Sequence, residues 1–272
     1  MTDRHLIALD LDGTLLKDDK TISPLTKKVI EKAKEHGHEV MIATGRPFRS
    51  SEMYYRELEL TTPIVNFNGA FVHHPLNHNW GTYHSPLDIK VALDIVEACQ
   101  EFQLHNIIAE VIDEVYLHYH DEKLLDIFGF GNPSITTGDL RNFLKQAPTS
   151  MLIHAEEHHV ATIRKHLSDV HAEVIDHRSW AAPWHVIEIV RIGLNKAVGI
   201  QKVSDYFQIP AERIIAFGDE DNDLEMLEYA GHGIAMGNGI DSIKNIANEV
   251  TLTNEEDGVA IYLNELLNLK AI

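Results

Sequence analysis

The chain has 272 residues, 44% of them hydrophobic, and sets 23 Lys and Arg against 42 Asp and Glu for a formal charge of −19. That surplus of negative charge repels nucleic-acid backbones and anionic membrane surfaces, so neither is an expected partner. One cysteine, Cys99, excludes an internal disulfide, and no apolar run approaches the length of a membrane span, so the expectation is a cytoplasmic chain with room for two domains.

In chain order, the apolar run Leu6-Ile7-Ala8-Leu9 reads as a short buried strand that ends in Asp10-Leu11-Asp12-Gly13-Thr14-Leu15-Leu16. Side chains two apart in an extended segment point the same way, so Asp10 and Asp12 are expected to project together from the carboxyl edge of a sheet. Ligands bind at that edge in open α/β folds, and a carboxylate pair there needs a cation or a shared proton; a magnesium site is the economical reading. Ser23 and Pro24 start a helix whose buried stripe is Leu25, Val29, Ile30 and Ala33 and which Gly37 ends. A strand over 39–43 then runs into Thr44-Gly45-Arg46-Pro47 and a helix from 48 to about 60. Thr44 stands at a strand-to-helix turn, where a hydroxyl, open N–H groups and the helix dipole suit a phosphate. By itself the same turn is an ordinary helix cap. Residues 63–72 read as a further core strand and its extension, with Asn68-Gly69-Ala70 inside it.

Around Ser85-Pro86 the pattern changes. Residues 85–184 hold helices near 87–102 and 156–167 and strands at 106–112, 115–120 and 151–154, and contain none of the core motifs. They read as an inserted α/β domain, flanked by a core of 1–84 and 185–272. Cys99 lies in an apolar helical stretch with Ile95, Val96 and Phe102 and reads as a buried structural thiol. Among the 18 histidines, His118 and His120 would share a strand face and His158 and His159 adjoin, but their spacing matches no common zinc pattern, and most of the histidines read as solvated cap residues. Gly129-Phe130-Gly131-Asn132-Pro133-Ser134 echoes a dinucleotide loop yet follows no convincing strand, and reads as a plain loop. Trp180, Pro183 and Trp184 either face a substrate or pack a hinge or the core.

Beyond the insert, Ile187-Glu188-Ile189-Val190-Arg191 leads to Lys196 at the start of a helix through Ala197, Ile200, Val203 and Phe207. Cations are disfavoured at the positive end of a helix dipole, so an anion or carboxylate held nearby explains Lys196, with a plain surface lysine as the alternative. The strand Ile214-Ile215-Ala216-Phe217 ends in Gly218-Asp219-Glu220-Asp221-Asn222-Asp223, ahead of the helical pattern Leu224, Met226, Leu227 and Tyr229. Acids from two strand ends are the donor set a hard divalent cation prefers. An EF-hand reading fails, because Leu224 stands where the sixth-position glycine is required and Ala230 where the closing glutamate is. The bland reading leaves Asn222 or Asp223 as a helix cap.

Together these motifs resemble the haloacid-dehalogenase-like hydrolase superfamily, in its branch of Cof-type phosphatases with a large α/β cap. The similarity runs in the family's order through Asp10-x-Asp12-Gly-Thr-Leu-Leu, Ala43-Thr44-Gly45-Arg46-Pro47, Asn68-Gly69-Ala70, Lys196 and Gly218-Asp219-x-x-Asn222-Asp223. It extends to Ala235-Met236-Gly237-Asn238 and Glu256-Asp257-Gly258-Val259-Ala260. The chain departs from the pattern at Asn195-Lys196-Ala197, where glycine commonly follows the lysine, and at Phe67, where a small residue is more usual before the asparagine.

The resemblance implies a Rossmann-like core of parallel sheet flanked by helices, an inserted cap that sets specificity, Mg2+ as cofactor and a small phosphorylated metabolite as partner. It implies Asp10 as nucleophile and Asp12 as general acid and base, with Thr44 and Lys196 holding the transferring oxygens. Asp10, Asp12 through its backbone carbonyl, Asp219 and Asp223 fall to the metal; Gly45, Arg46, Asn68 and Asn222 join Thr44 and Lys196 in binding substrate. The implied reaction is hydrolysis of small phosphomonoesters, such as sugar phosphates, nucleotides or phosphorylated cofactors, through an aspartyl phosphate. A phosphomutase or other phosphotransferase sharing that step, or a non-catalytic phosphometabolite-binding protein, is the alternative.

Overall fold

The structure, a computed structural model, describes residues 4–102, 104–171, 175–180 and 186–272. The chain divides into two compact units, one of Met1–Arg46, Ser51–Thr82 and Asn195–Ile272, the other of Pro47–Ser50 and Tyr83–Leu194.

The first unit is built on a five-stranded parallel sheet in the order Glu249–Val250, His232–Ala235, Ile214–Gly218, Leu6–Leu9, Glu39–Ile42. A parallel sheet covered on both faces needs strands that are apolar throughout, and every residue of Leu6–Leu9 and Ile214–Gly218 is buried. Leu6, Ala8, Met41, Ala216 and Ile214 pack with Ile200 and Val203 of the helix Lys196–Phe207 and with Met226 and Leu227 of the helix Leu224–Tyr229. In the first helix, Pro24–Glu35, Ser23 accepts from the Thr26 N–H, and Val29, Ile30 and Ala33 are buried as the periodicity requires. Leu9 lies opposite both Phe217 and Ile42, so the residues that follow these three positions leave the sheet at one rim. Parallel register therefore gathers Asp10, Thr44 and Asp219 from remote parts of the chain.

The second unit carries a six-stranded sheet in the order Ile175–Trp180, Val186–Arg191, Ser150–Ala155, Leu104–Val111, Glu114–Leu117, Ile135–Thr137. Its pairs are antiparallel except the last. Ala92, Ile95, Val96 and Cys99 of the helix Ile89–Cys99 pack on its face with Ile107, Ile153, Ile163 and Ile187. Burial pushes the Cys99 thiol up to about 12, which makes it inert.

Two expectations need correction. The run 186–191, read as core because the Lys196 helix follows it, pairs instead with Ser150–Ala155 and Ile175–Trp180, so the insert's sheet passes the expected end at 184. Pro47–Ser50 also groups with that unit rather than with the core. His118 is an exception to the solvated majority expected of the histidines: it is buried beyond the strand Glu114–Leu117, and its Nδ1 accepts from the Leu140 N–H at 3.2 Å. The expected boundary at 184, the side chain of Trp180, and Pro183 and Trp184 lie outside the described residues. Among the described residues, no helix is long and apolar enough to cross a membrane.

Candidate active site

Asp10 leaves the sheet with its N–H bonded to the Phe217 carbonyl at 3.2 Å, which pins it beside the strand that carries Asp219. The chain then turns at once. Thr14 and Leu16 donate to the Leu11 carbonyl, Leu15 donates to the Asp10 carbonyl, and Asp12 bridges to Leu16. Gly13 takes a φ of +73°, and a Cβ there would sit 2.1 Å from an Asp219 carboxylate oxygen, so only glycine fits this position. Thr14 Oγ1 donates to Asp219 Oδ1 at 2.7 Å.

Lys196 opens its helix after Asn195, whose side chain accepts from the Val198 N–H, and lies fully buried between two carboxylates. Its Nζ donates to Asp10 Oδ1 at 2.7 Å and to Asp223 Oδ1 at 2.6 Å. This pairing accounts for a lysine at the wrong end of a helix dipole. The other Asp223 oxygen accepts from the N–H groups of Asp219 and Glu220 at 3.0 and 3.1 Å, so Asp223 does cap its turn while also facing the lysine.

One carboxylate oxygen from each of Asp10, Asp219 and Asp223 lies within 4.8 Å of the others, and all three residues are buried. Burial pushes the Asp10 carboxyl well above its ordinary range; Lys196 opposes the rise while Asp223 and Asp219 add to it. Asp219 is pushed up to about 7, by burial and then by Asp223, against the Thr14 hydrogen bond. For Lys196, burial alone would favour the neutral amine, but Asp10 and Asp223 hold it charged. Burial is thus the first cause of both rises, and the neighbouring carboxylates add to it.

Asp12 behaves differently. The strand stops at Leu9, so the two-residue alternation that would have aimed Asp12 alongside Asp10 does not apply, and its carboxylate is not part of the cluster. Instead Arg46 grips it through Nε to Oδ2 and Nη2 to Oδ1, both at 2.6 Å, and Lys20 Nζ donates to Oδ1 at 2.8 Å. Burial alone would raise the Asp12 carboxyl, but the hydrogen bond and charge of Arg46, then those of Lys20, bring it down to about 2. Arg46, expected at a substrate, is thus engaged with Asp12, and its guanidinium lies 5.6 Å from the centroid of the Tyr54 ring. Nothing in the spacing of Lys20 pointed to this role, whereas Thr14 sits inside the first motif and was passed over.

Thr44 is buried at the end of its strand, its N–H bonded to the Val65 carbonyl and its hydroxyl accepting from the Arg46 N–H at 3.1 Å. Phe67, Asn68 and Gly69 follow with three successive positive φ values, a strained turn that delivers the Asn68 N–H to the Thr44 carbonyl at 3.2 Å. Asn68 Oδ1 accepts from Asn222 Nδ2 at 3.1 Å, and a Cβ on Gly45 would stand 3.3 Å from the Asn68 amide. Thr44, Gly45, Asn68 and Asn222 therefore form one group of neighbours, and Asp10, Lys196, Asp219 and Asp223 another.

Comparison with known proteins places this geometry. A family profile described as haloacid dehalogenase-like hydrolase matches residues 7–263. The chain is 63% identical over 268 residues to the 5-amino-6-(5-phospho-D-ribitylamino)uracil phosphatase YitU of Bacillus subtilis, a match covering 98% of this chain and 99% of that protein. It is 29% identical over 283 residues to the pyridoxal phosphate phosphatase YbhA of Escherichia coli, covering 97% and 98%. A solved haloacid dehalogenase-like hydrolase from B. subtilis superposes with a TM-score of 0.82 at 27% identity, over 96% of this chain and 99% of that one. The chain belongs to the haloacid dehalogenase-like hydrolase family. Within it, the chain is a phosphoric monoester hydrolase of the Cof type.

Proposed function

We propose that the chain is a cytoplasmic, Mg2+-dependent phosphatase of small phosphorylated metabolites, with phosphorylated cofactors and their precursors as its substrate class. The substrates in the names of its relatives, a phosphoribitylaminouracil and pyridoxal phosphate, support that class. The observation that carries the reading is the buried convergence of Asp10, Asp219 and Asp223 on Lys196.

The donor set fits the metal. Three buried carboxylates within 4.8 Å of one another, all offering oxygen, suit a hard divalent ion. Asp10, Asp219, Asp223 and the Asp12 backbone carbonyl would hold it. Bound there, Mg2+ supplies neutralisation of the charge shared by the carboxylates and the phosphate.

Asp10 is the nucleophile. With Oδ1 held by Lys196, its other oxygen attacks phosphorus in line, the bond to the leaving oxygen breaks, and an aspartyl phosphate forms. Asp12 protonates the leaving oxygen, then takes a proton from the water that attacks the aspartyl phosphate, releasing phosphate and restoring Asp10. Held by Arg46 and Lys20, Asp12 is ionised and ready as a base. Its role as acid requires Arg46 and Lys20 to release it, Arg46 passing to the oxygens of the phosphate, so that Asp12 takes up a proton from solvent before the ester bond breaks. The proton it later takes from water resets it for the next turnover. Lys196 and the Thr44 hydroxyl hold those oxygens, and Gly45, Asn68 and Asn222 complete the anion-binding group. The second unit, in this reading, is the cap that selects the leaving group.

A panel of phosphorylated metabolites that includes 5-amino-6-(5-phosphoribitylamino)uracil and pyridoxal phosphate, ranked by kcat/KM, tests the reading. Phosphate release that requires Mg2+ and favours cofactor-type esters is expected; no release from any member of the panel would overturn it.

A further inference from the structure

The loop after the strand His232–Ala235 touches both acid-bearing turns of the first unit. The Ile240 N–H donates to the Asp219 carbonyl at 3.0 Å, and Asn238 Nδ2 donates to the Gly13 carbonyl at 2.7 Å. Asn238 Oδ1 in turn accepts from the Asn254 N–H at 3.0 Å. The Asn254 side chain reaches the Leu16 carbonyl at 3.0 Å and Asp18 at 3.3 Å, and the Leu16 N–H closes on the Leu11 carbonyl at 2.9 Å. A ring of hydrogen bonds thus runs from Asp219 through residues 238–240 to Asn254 and around the turn that contains Asp12 and Gly13. The loop passes close to the Asp219 backbone, since a Cβ on Gly239 would stand 3.1 Å from the Asp219 carbonyl oxygen.

We propose that Asn238 is a positioning residue for the divalent cation: its bond to the Gly13 carbonyl fixes the orientation of the Asp12 carbonyl relative to Asp219. This rests on the reading of Asp10, Asp12, Asp219 and Asp223 as the residues that hold Mg2+. The Asp12 carbonyl belongs to the peptide unit that ends at the Gly13 nitrogen. The Gly13 carbonyl belongs to the next unit, joined to the first through the Gly13 Cα; because Gly13 has no side chain and sits at positive φ, holding its carbonyl limits how far the Asp12 carbonyl can swing about that Cα. Asn238 grips the Gly13 carbonyl, and Ile240, two residues on, holds the Asp219 backbone. One short loop therefore spans the two sides of the cation site. Asn238 is itself exposed and fills no core space, so its amide, rather than its bulk, is what the site uses.

Calorimetric titration of the metal-free full-length protein with Mg2+, together with its metal-free melting temperature, tests this for the unaltered chain, Asn238→Ala and Asn238→Gln. Loss of an outer hydrogen bond that orients a metal-holding group is expected to weaken Mg2+ binding about tenfold in Asn238→Ala. Asn238→Gln, which keeps the amide, should bind between the two, and metal-free melting should stay within about 2 °C of the unaltered chain. Equal Mg2+ affinity in Asn238→Ala and the unaltered chain would overturn the inference. So would a larger fall in metal-free melting, which would make Asn238 a general brace of the fold. Failure of the unaltered chain to bind Mg2+ would overturn both the inference and the metal reading beneath it.

Discussion

Replacing Lys196 with methionine keeps the length and bulk of the side chain and removes the one ammonium that Asp10 and Asp223 share. Both partners and the lysine are buried, so the change strands two carboxylates away from water. Breaking a buried ion pair by deleting one member costs about 3–5 kcal/mol. For a chain of this length each kcal/mol lowers melting by roughly 2–4 °C, so the unit holding Lys196 should melt about 6–20 °C lower in metal-free buffer near neutral pH. The direction of the pH dependence follows from the same charges. Without the lysine, Asp10, already raised by burial, keeps a proton in the folded state that the unfolded chain gives up above its ordinary carboxyl range. A carboxyl whose folded pKa is raised stabilises the fold as pH falls toward its unfolded value. Thermal melting of both proteins across pH 5–8 should therefore show the deficit shrinking toward the acid end. A deficit below about 1 kcal/mol, the scale of an exposed pair, or one that is constant across this range, would refute the claim that Lys196 is the buried counterion of the cluster.

Other consequences are equally direct. Asp10→Asn should keep the fold, read by circular dichroism, and abolish turnover of p-nitrophenyl phosphate; activity near that of the unaltered chain would remove Asp10 as nucleophile. Gly13→Ala drives a methyl group into the Asp219 carboxylate at a positive φ, so it should cost at least about 1 kcal/mol of stability and weaken Mg2+ binding by calorimetry. Binding equal to that of the unaltered chain would show that Asp219 moves aside freely. Chelation should abolish phosphate release and added Mg2+ restore it, with unchanged activity in excess chelator as the contrary result. His38 is held down to about 4 by burial and by the neighbouring His5 and His36, while its Nδ1 accepts from the His5 N–H. The unfolded chain then binds a proton that the folded chain refuses between about 4 and 6.5, and stability should fall as pH drops through that window. His38→Asn should flatten the fall in melting temperature, and parallel curves would exclude His38 as its source.

The parallel core was legible because its strands are buried on both faces and announce themselves as continuous apolar runs, as in Leu6–Leu9 and Ile214–Gly218. Lys196 could be singled out by its conflict with the helix dipole, and the structure supplies two carboxylates that resolve the conflict. Asp12 was misdirected by a local rule. Alternation holds only while the backbone stays extended, and the turn closed by Leu15 and Leu16 onto Asp10 and Leu11 begins immediately after Leu9. The partners it meets there, Arg46 and Lys20, are settled by tertiary packing, which residue spacing does not encode. The run 186–191 failed for a related reason: its apolar pattern suits either sheet, and only the long-range pairing with Ser150–Ala155 decides. Strands such as Ile135–Thr137 are too short to carry any period.

The central claim is that acids remote in the chain hold one divalent cation beside a nucleophilic Asp10. A crystal structure of the protein grown with Mg2+ and beryllium fluoride, a mimic of the acyl phosphate, tests it most directly. It should show the fluoride adduct on Asp10 and a single Mg2+ in contact with Asp10, the Asp12 carbonyl, Asp219 and Asp223. An adduct on another side chain, or a cation bound away from these four residues, would contradict it.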